Sequence, residues 1–117
     1  MRNNQLGHLY RDGEVLFRKG DSGDCMYQVQ RGCIEVLLEP DAEVIRTLRS
    51  GELFGEMSLF TGEPRSATVR SRGESRVLTI DKDALMVRLK VDPVLAFRIL
   101  ENLCTRLHRF DHPVHES

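Results

Sequence analysis

The chain has 117 residues, with 17 Lys and Arg against 18 Asp and Glu for a formal net charge of −1. That length reads as one domain able to bury a core without staples, and the near-neutral charge offers no basic field for nucleic acid or an acidic membrane. No apolar run approaches the ~20 residues of a membrane span, the polar start Met1-Arg2-Asn3-Asn4-Gln5 is not a signal peptide, and three cysteines without Cys-x-x-Cys spacing fit a reduced, cytoplasmic setting.

Taken in order, residues 1–7 carry no element signal, and His8-Leu9-Tyr10 reads as a short first strand. Arg11-Asp12-Gly13 is a turn and residues 14–17 a second strand. Gly20-Asp21-Ser22-Gly23-Asp24 is the densest turn signal in the chain. Residues 25–30 and 33–38 flank Arg31-Gly32 and predict a hairpin with a two-residue loop. Its register pairs Gln30 with Cys33, Val29 with Ile34, Tyr27 with Val36 and Cys25 with Leu38. The last three pairs would share one face, with Gln28 and Glu35 on the other. Cys25 and Cys33 then lie about 16 Å apart, too far for a disulfide. Residues 43–49 read as a further strand that ends at Ser50-Gly51. Residues 67–72 and 76–80 read as a hairpin-like pair around Gly73. Many short strands with turns every eight to twelve residues predict an antiparallel sandwich or jelly roll.

Past Ile80 the period changes to helical. Asp81 is placed to cap a helix over residues 82–90, and Asp92-Pro93 restarts a second one with Pro at its first position. On it Ala96, Leu100, Leu103, Leu107 and Phe110 recur at spacings of four and three, an apolar stripe. Pro113 ends this helix.

One stretch carries the chemistry: Phe54-Gly55-Glu56-Met57-Ser58-Leu59-Phe60-Thr61-Gly62-Glu63-Pro64-Arg65-Ser66-Ala67-Thr68-Val69. Gly55 lets backbone approach a ligand. Residues 56–60 can form one helical turn with free N–H groups at its start. Gly62 and Pro64 reverse the chain, and Arg65 follows, able to fork its guanidinium onto a phosphate. Glu56, as a carboxylate, suits a sugar hydroxyl. The alternative for Glu56 or Arg65 alone is a solvated surface turn.

The whole string resembles the phosphate-binding cassette of cyclic nucleotide-binding domains. Gly13-Glu14-Val15-Leu16-Phe17, Gly20, Tyr27 and Gly32 resemble that family's opening roll, so the resemblance covers roughly residues 7–110. It implies a mainly β fold, an antiparallel β-roll or jelly roll over about residues 8–80 with C-terminal helices over about 81–111. The chain would be a single domain over residues 1–117 with no effector domain. It implies cAMP or cGMP as ligand, with no further cofactor. Glu56 would take the ribose 2′-hydroxyl and Arg65 the cyclic phosphate, with Gly55, Met57, Ser66 and Ala67 lining the cradle. Arg106, Arg109 and Phe110 would fall where the family's last helix approaches the purine, although Phe110 also reads as the last core residue. A signal would leave through the C-terminal helix, to a homodimer mate or a partner protein. Two departures stand out: almost nothing precedes the roll, and the last helix stops near Phe110.

In the family, Ala after the cassette Arg goes with adenine and Thr with guanine. Ser66 has the hydroxyl without the stiffening methyl, so it need not select guanine. The string Arg65-Ser66-Ala67-Thr68-Val69 resembles cAMP binders more than cGMP binders, which implies a preference for cAMP of less than about 1.4 kcal/mol. A metal enzyme of the cupin type would need histidines clustered on strands. Here His108, His112 and His115 have helix-like spacing instead, and no nucleophile–base or paired-acid set stands out. The chain therefore reads as a binding module and not an enzyme. The other reading is a structural or dimerisation roll whose pocket has decayed.

Overall fold

Two long antiparallel strands carry the sheet in this computed structural model, which describes residues 7–39 and 43–111, with backbone alone at 103 and 105–111. They are β3 (Cys25–Leu37) and β6 (Thr68–Asp81), paired from Cys25↔Asp81 to Leu37↔Thr68. Shorter strands complete the sheet. β1 (His8–Tyr10) and β2 (Val15–Phe17) pair with β6, whereas β4 (Val44–Arg49) and β5 (Leu53–Phe54) pair with β3. The order is β1-β6-β3-β4, and each of these pairings is antiparallel. α1 (Glu56–Thr61) lies between β5 and β6 in the chain, and α2 (Lys82–Val91) and α3 (Pro93–Asp111) follow β6. The fold class expected from the sequence, a mainly β antiparallel roll followed by helices, is the one observed.

Both expected hairpins are corrected. Arg31-Gly32 is not a reversal, because the chain runs straight through it within β3. The segment around Gly73 likewise runs within the single strand β6, Thr68–Asp81. Gly32 and Gly73 do adopt left-handed backbone, at φ 101 and φ 71. They serve register shifts between the two strands, near Val29/Arg31 and Arg31/Cys33, and not turns. Serine hydroxyls meet the backbone groups that the ladder loses there. Ser75 Oγ accepts from Cys33 N at 3.2 Å and donates to Cys33 O at 3.0 Å. Ser71 Oγ donates to Gly73 O at 2.7 Å and lies 2.8 Å from Ser75 Oγ. Both serines are buried, and a Cβ on Gly32 would sit 2.6 Å from Ser75 Oγ. The long pairing prevails because it makes β3 a central strand with a neighbour on either edge. A local hairpin would leave both of its edges bare.

The burial pattern changes with the register. Met26, Val29, Ile34 and Leu37 are fully buried, so burial falls on even and odd positions alike, while Leu38 is exposed. The core cluster is Val29, Ile34, Leu48, Phe54, Val69 and Val77, with Leu16, Phe17 and Tyr27 packed against it. Cys25, Cys33 and Cys104 are free thiols.

The chain divides into two compact units, Met1–Lys82 and Asp83–Ser117. In the second, Asp92 caps α3, its Oδ1 accepting from Leu95 N at 3.3 Å, with Pro93 at the first helical position as expected. The stripe on α3 is rotated from its expected place. Leu95 and Ile99 are buried, whereas Leu100 is exposed. Val94, Leu95, Ala96, Phe97, Ile99 and Leu100 are apolar nearly all round the first turns, so spacing alone does not choose the face. The side chains of Leu103, Leu107 and Phe110 lie outside the described residues, as do residues 112–117 with Pro113.

Candidate functional site

β5 starts the site. Phe54 pairs with Tyr27 and Leu53 with Gln28, which brings the end of β5 to the first half of β3. Gly55 then turns into α1 with left-handed backbone at φ 79. A Cβ there would lie 2.9 Å from Arg65 Nη1 and 3.2 Å from the Tyr27 ring, so glycine is required for packing as well as for φ. α1 carries Glu56 in its first turn, where a carboxylate opposes the helix dipole favourably. Gly62 closes the helix at φ 76, its N–H donating to Ser58 O at 2.9 Å. Ser58 Oγ donates to Glu63 O at 2.8 Å and holds the exit of the loop.

Arg65 is pinned at both backbone groups. Its N–H donates to Asp21 O at 2.7 Å, and its carbonyl accepts from Gly20 N at 2.8 Å. The dense turn after Phe17 thus docks on the cassette. The Arg65 side chain is only 5% exposed. Nη1 donates to Gly55 O at 2.9 Å, and Nη2 to Cys25 O at 3.0 Å. The guanidinium carbon lies 4.3 Å from the Phe17 ring centroid and 5.4 Å from that of Tyr27, a cation–π platform. Tyr27 stacks on Phe17 at 5.6 Å and on Phe54 at 5.1 Å, while Phe17 and Phe54 are tilted to each other at 6.3 Å. Arg65 Nε is buried with no hydrogen-bond partner among the described residues.

Burial pushes the Tyr27 phenol well above its ordinary pKa. A hydrogen bond with the Cys25 thiol adds to the shift, and the Arg65 charge opposes it. Burial raises Tyr10 too, with Glu14 and Cys25 contributing. Both hydroxyls stay protonated near neutrality.

Of the residues singled out in the sequence, Glu56 and Arg65 are buried, Gly55, Met57 and Ala67 half-buried, and Ser66 exposed. The structure brings Gly55 and Arg65 into contact. Arg106, Arg109 and Phe110 fall on the last turns of α3, and their side chains lie outside the described residues. Sequence reasoning missed Phe17, Gly23 and Cys25, which surround the guanidinium. A Cβ on Gly23 would lie 2.7 Å from Arg65 Nη2. Only the turn signal over residues 20–24 hinted at that approach. Cys25 meets Arg65 through a backbone carbonyl, which every residue type carries. Among the described residues, no helix is long and apolar enough to cross a membrane.

Comparison with known proteins gives a consistent picture. The family model described as "Cyclic nucleotide-binding domain" matches residues 8–90. A cAMP-dependent protein kinase regulatory subunit of Emericella nidulans is 34% identical over 71 residues, 61% of this chain and 17% of that protein. The cyclic nucleotide-gated channel beta-3 of Mus musculus is 40% identical over 81 residues, 66% of this chain and 12% of the channel. The chain thus spans less than a fifth of the length of either relative. Among solved structures, the Thermus thermophilus catabolite activator protein superposes with a TM-score of 0.77 at 27% identity, covering 92% of this chain and 52% of that one.

Proposed function

Since the chain belongs to the cyclic nucleotide-binding domain family, we propose that it is a regulatory module that takes up a cyclic nucleotide at the cassette around Glu56 and Arg65. One observation carries the reading: a buried guanidinium, stacked on Phe17, with its Nε donor still to be met. A cyclic phosphate carries one negative charge and two exocyclic acceptor oxygens, which a planar fork matches. Glu56 takes the ribose 2′-hydroxyl as an acceptor. Gly55, Met57 and Ala67 line the cradle, and no metal is needed for these contacts.

The proposed ligand is cAMP ahead of cGMP. Ser66 is exposed, so its hydroxyl is free to turn toward the phosphate and need not select guanine. If Ser66 does read the base, Ser66→Ala lowers cGMP affinity and leaves cAMP nearly unchanged. Equal losses for the two nucleotides in a competition titration would assign the hydroxyl to the phosphate alone. The signal is proposed to leave through the C-terminal helix, which a ligand shifts only by binding one arrangement better than another.

A second reading has its own observation. Nη1 and Nη2 are already engaged by Gly55 O and Cys25 O, as a purely structural arginine would be. Isothermal titration with cAMP and cGMP separates the two. Saturable heat supports the sensor, and folded protein giving no heat at millimolar nucleotide supports the structural roll.

A further inference from the structure

We propose that Cys25 is a modification site for small disulfides carrying an anionic group, and that its occupation closes the phosphate end of the pocket. This rests on reading Arg65 as the phosphate residue. The Cys25 Sγ lies 3.6 Å from Arg65 Nη2, and the carbonyl of the same residue accepts from that nitrogen. Cys25 is a free thiol and only half-buried, so small reagents reach it. Independently of the thiol, the site is short of an acceptor: Arg65 is 5% exposed, and its Nε has no hydrogen-bond partner among the described residues. Glycine at position 23 lets the backbone pack closely on the guanidinium, a Cβ there lying 2.7 Å from Nη2, and the Nε–Nη2 edge keeps its unmet donor.

An anionic group tethered to Cys25 would meet this edge as a phosphate would. The guanidinium also draws anionic reagents toward the thiol. In the exchange, the Cys25 thiol gives its proton to solvent and the thiolate attacks one sulfur of the disulfide. A new S–S bond forms as the old one breaks, and the other half leaves as a thiolate that takes up a proton. Cys25 is oxidised and the departing half reduced, so no further oxidant is needed. A reducing thiol reverses the step. Cys33 is the natural competitor, because Arg49 and Arg72 are its cross-strand partners, so it is removed in the test.

The test uses the full chain carrying Cys33→Ser and Cys104→Ser, with sulfonatoethyl methanethiosulfonate as the anionic probe. Labelling is expected to weaken cAMP binding by about tenfold or more, and dithiothreitol to restore it. Saturating cAMP is expected to slow labelling, and a trimethylammonium probe of similar size to react more slowly. Cys25→Ser in the same background must show no response to either probe. Mass mapping of the wild-type chain, with and without cAMP, repeats the protection measurement should the serine variant fold poorly. Binding that survives complete labelling, or labelling indifferent to cAMP, overturns this inference alone. An unlabelled, folded chain that binds no nucleotide overturns the functional reading and this inference with it.

Discussion

Arg65 does two jobs that measurement can separate. Its Nη1 and Nη2 tie Gly55 and Cys25 together, so Arg65→Ala is expected to lower stability by about 1–3 kcal/mol, the cost of leaving part-buried acceptors unmet. It is also expected to weaken cAMP binding more than Glu56→Ala does. A charge-assisted fork to phosphate is lost in the first case, while in the second water can satisfy a freed hydroxyl. Titration of both variants, with denaturant midpoints to correct for folding, gives the ranking, and Glu56→Ala emerging as the weaker binder would reverse it. Tyr27 supplies a test independent of ligand. Its folded pKa is raised, chiefly by burial, so its contribution to stability is complete below the ordinary phenol value of about 10. Above that pH the unfolded chain ionises first, and the contribution is lost as pH rises toward the folded value. Tyr27→Phe is therefore expected to flatten the alkaline fall in unfolding free energy. An unchanged slope above pH 10 would contradict this. At this scale the sequence was informative where the site is contiguous: Gly55, Glu56 and Arg65 stand within eleven positions and in a fixed pattern. Phe17, Gly23 and Cys25 reach the guanidinium across 40 or more positions. No local pattern encodes such an approach.

The strands show where local reading fails. Arg31-Gly32 and the segment around Gly73 have the composition of turns, and both glycines do have positive φ. A glycine in left-handed backbone serves a bulge as readily as a reversal. What decides is the partner strand, some 40 residues away. The buried serine pair is the physical signature of the outcome, since Ser75 Oγ serves both the N–H and the carbonyl of Cys33 where the ladder is interrupted. Ser75→Ala is expected to destabilise the fold by about 1–3 kcal/mol, since it leaves both backbone groups short of a partner. A midpoint unchanged in chemical denaturation would show that water replaces the hydroxyl without loss. The helices were legible at their ends, where Asp92-Pro93 starts α3 as written. Their buried face was not, because the first turns of α3 are apolar nearly all round.

At the scale of the molecule, the sheet unit contains the cassette, the aromatic platform beneath Arg65 and the turn that pins it. The functional proposal makes that unit the receiver of a cyclic nucleotide and the C-terminal helix the outlet of its signal. The ranking of Arg65 over Glu56, the place of Ser66 and the closure by Cys25 all depend on the receiver working. The most direct measurement is isothermal titration of the folded chain with cAMP in the presence of a metal chelator. Saturable heat is expected at one site per chain, with cGMP weaker by less than about tenfold, and that heat is expected to be lost in Arg65→Ala protein that remains folded. No heat at millimolar cAMP from folded wild-type chain, or heat that survives intact in Arg65→Ala, would contradict the functional proposal.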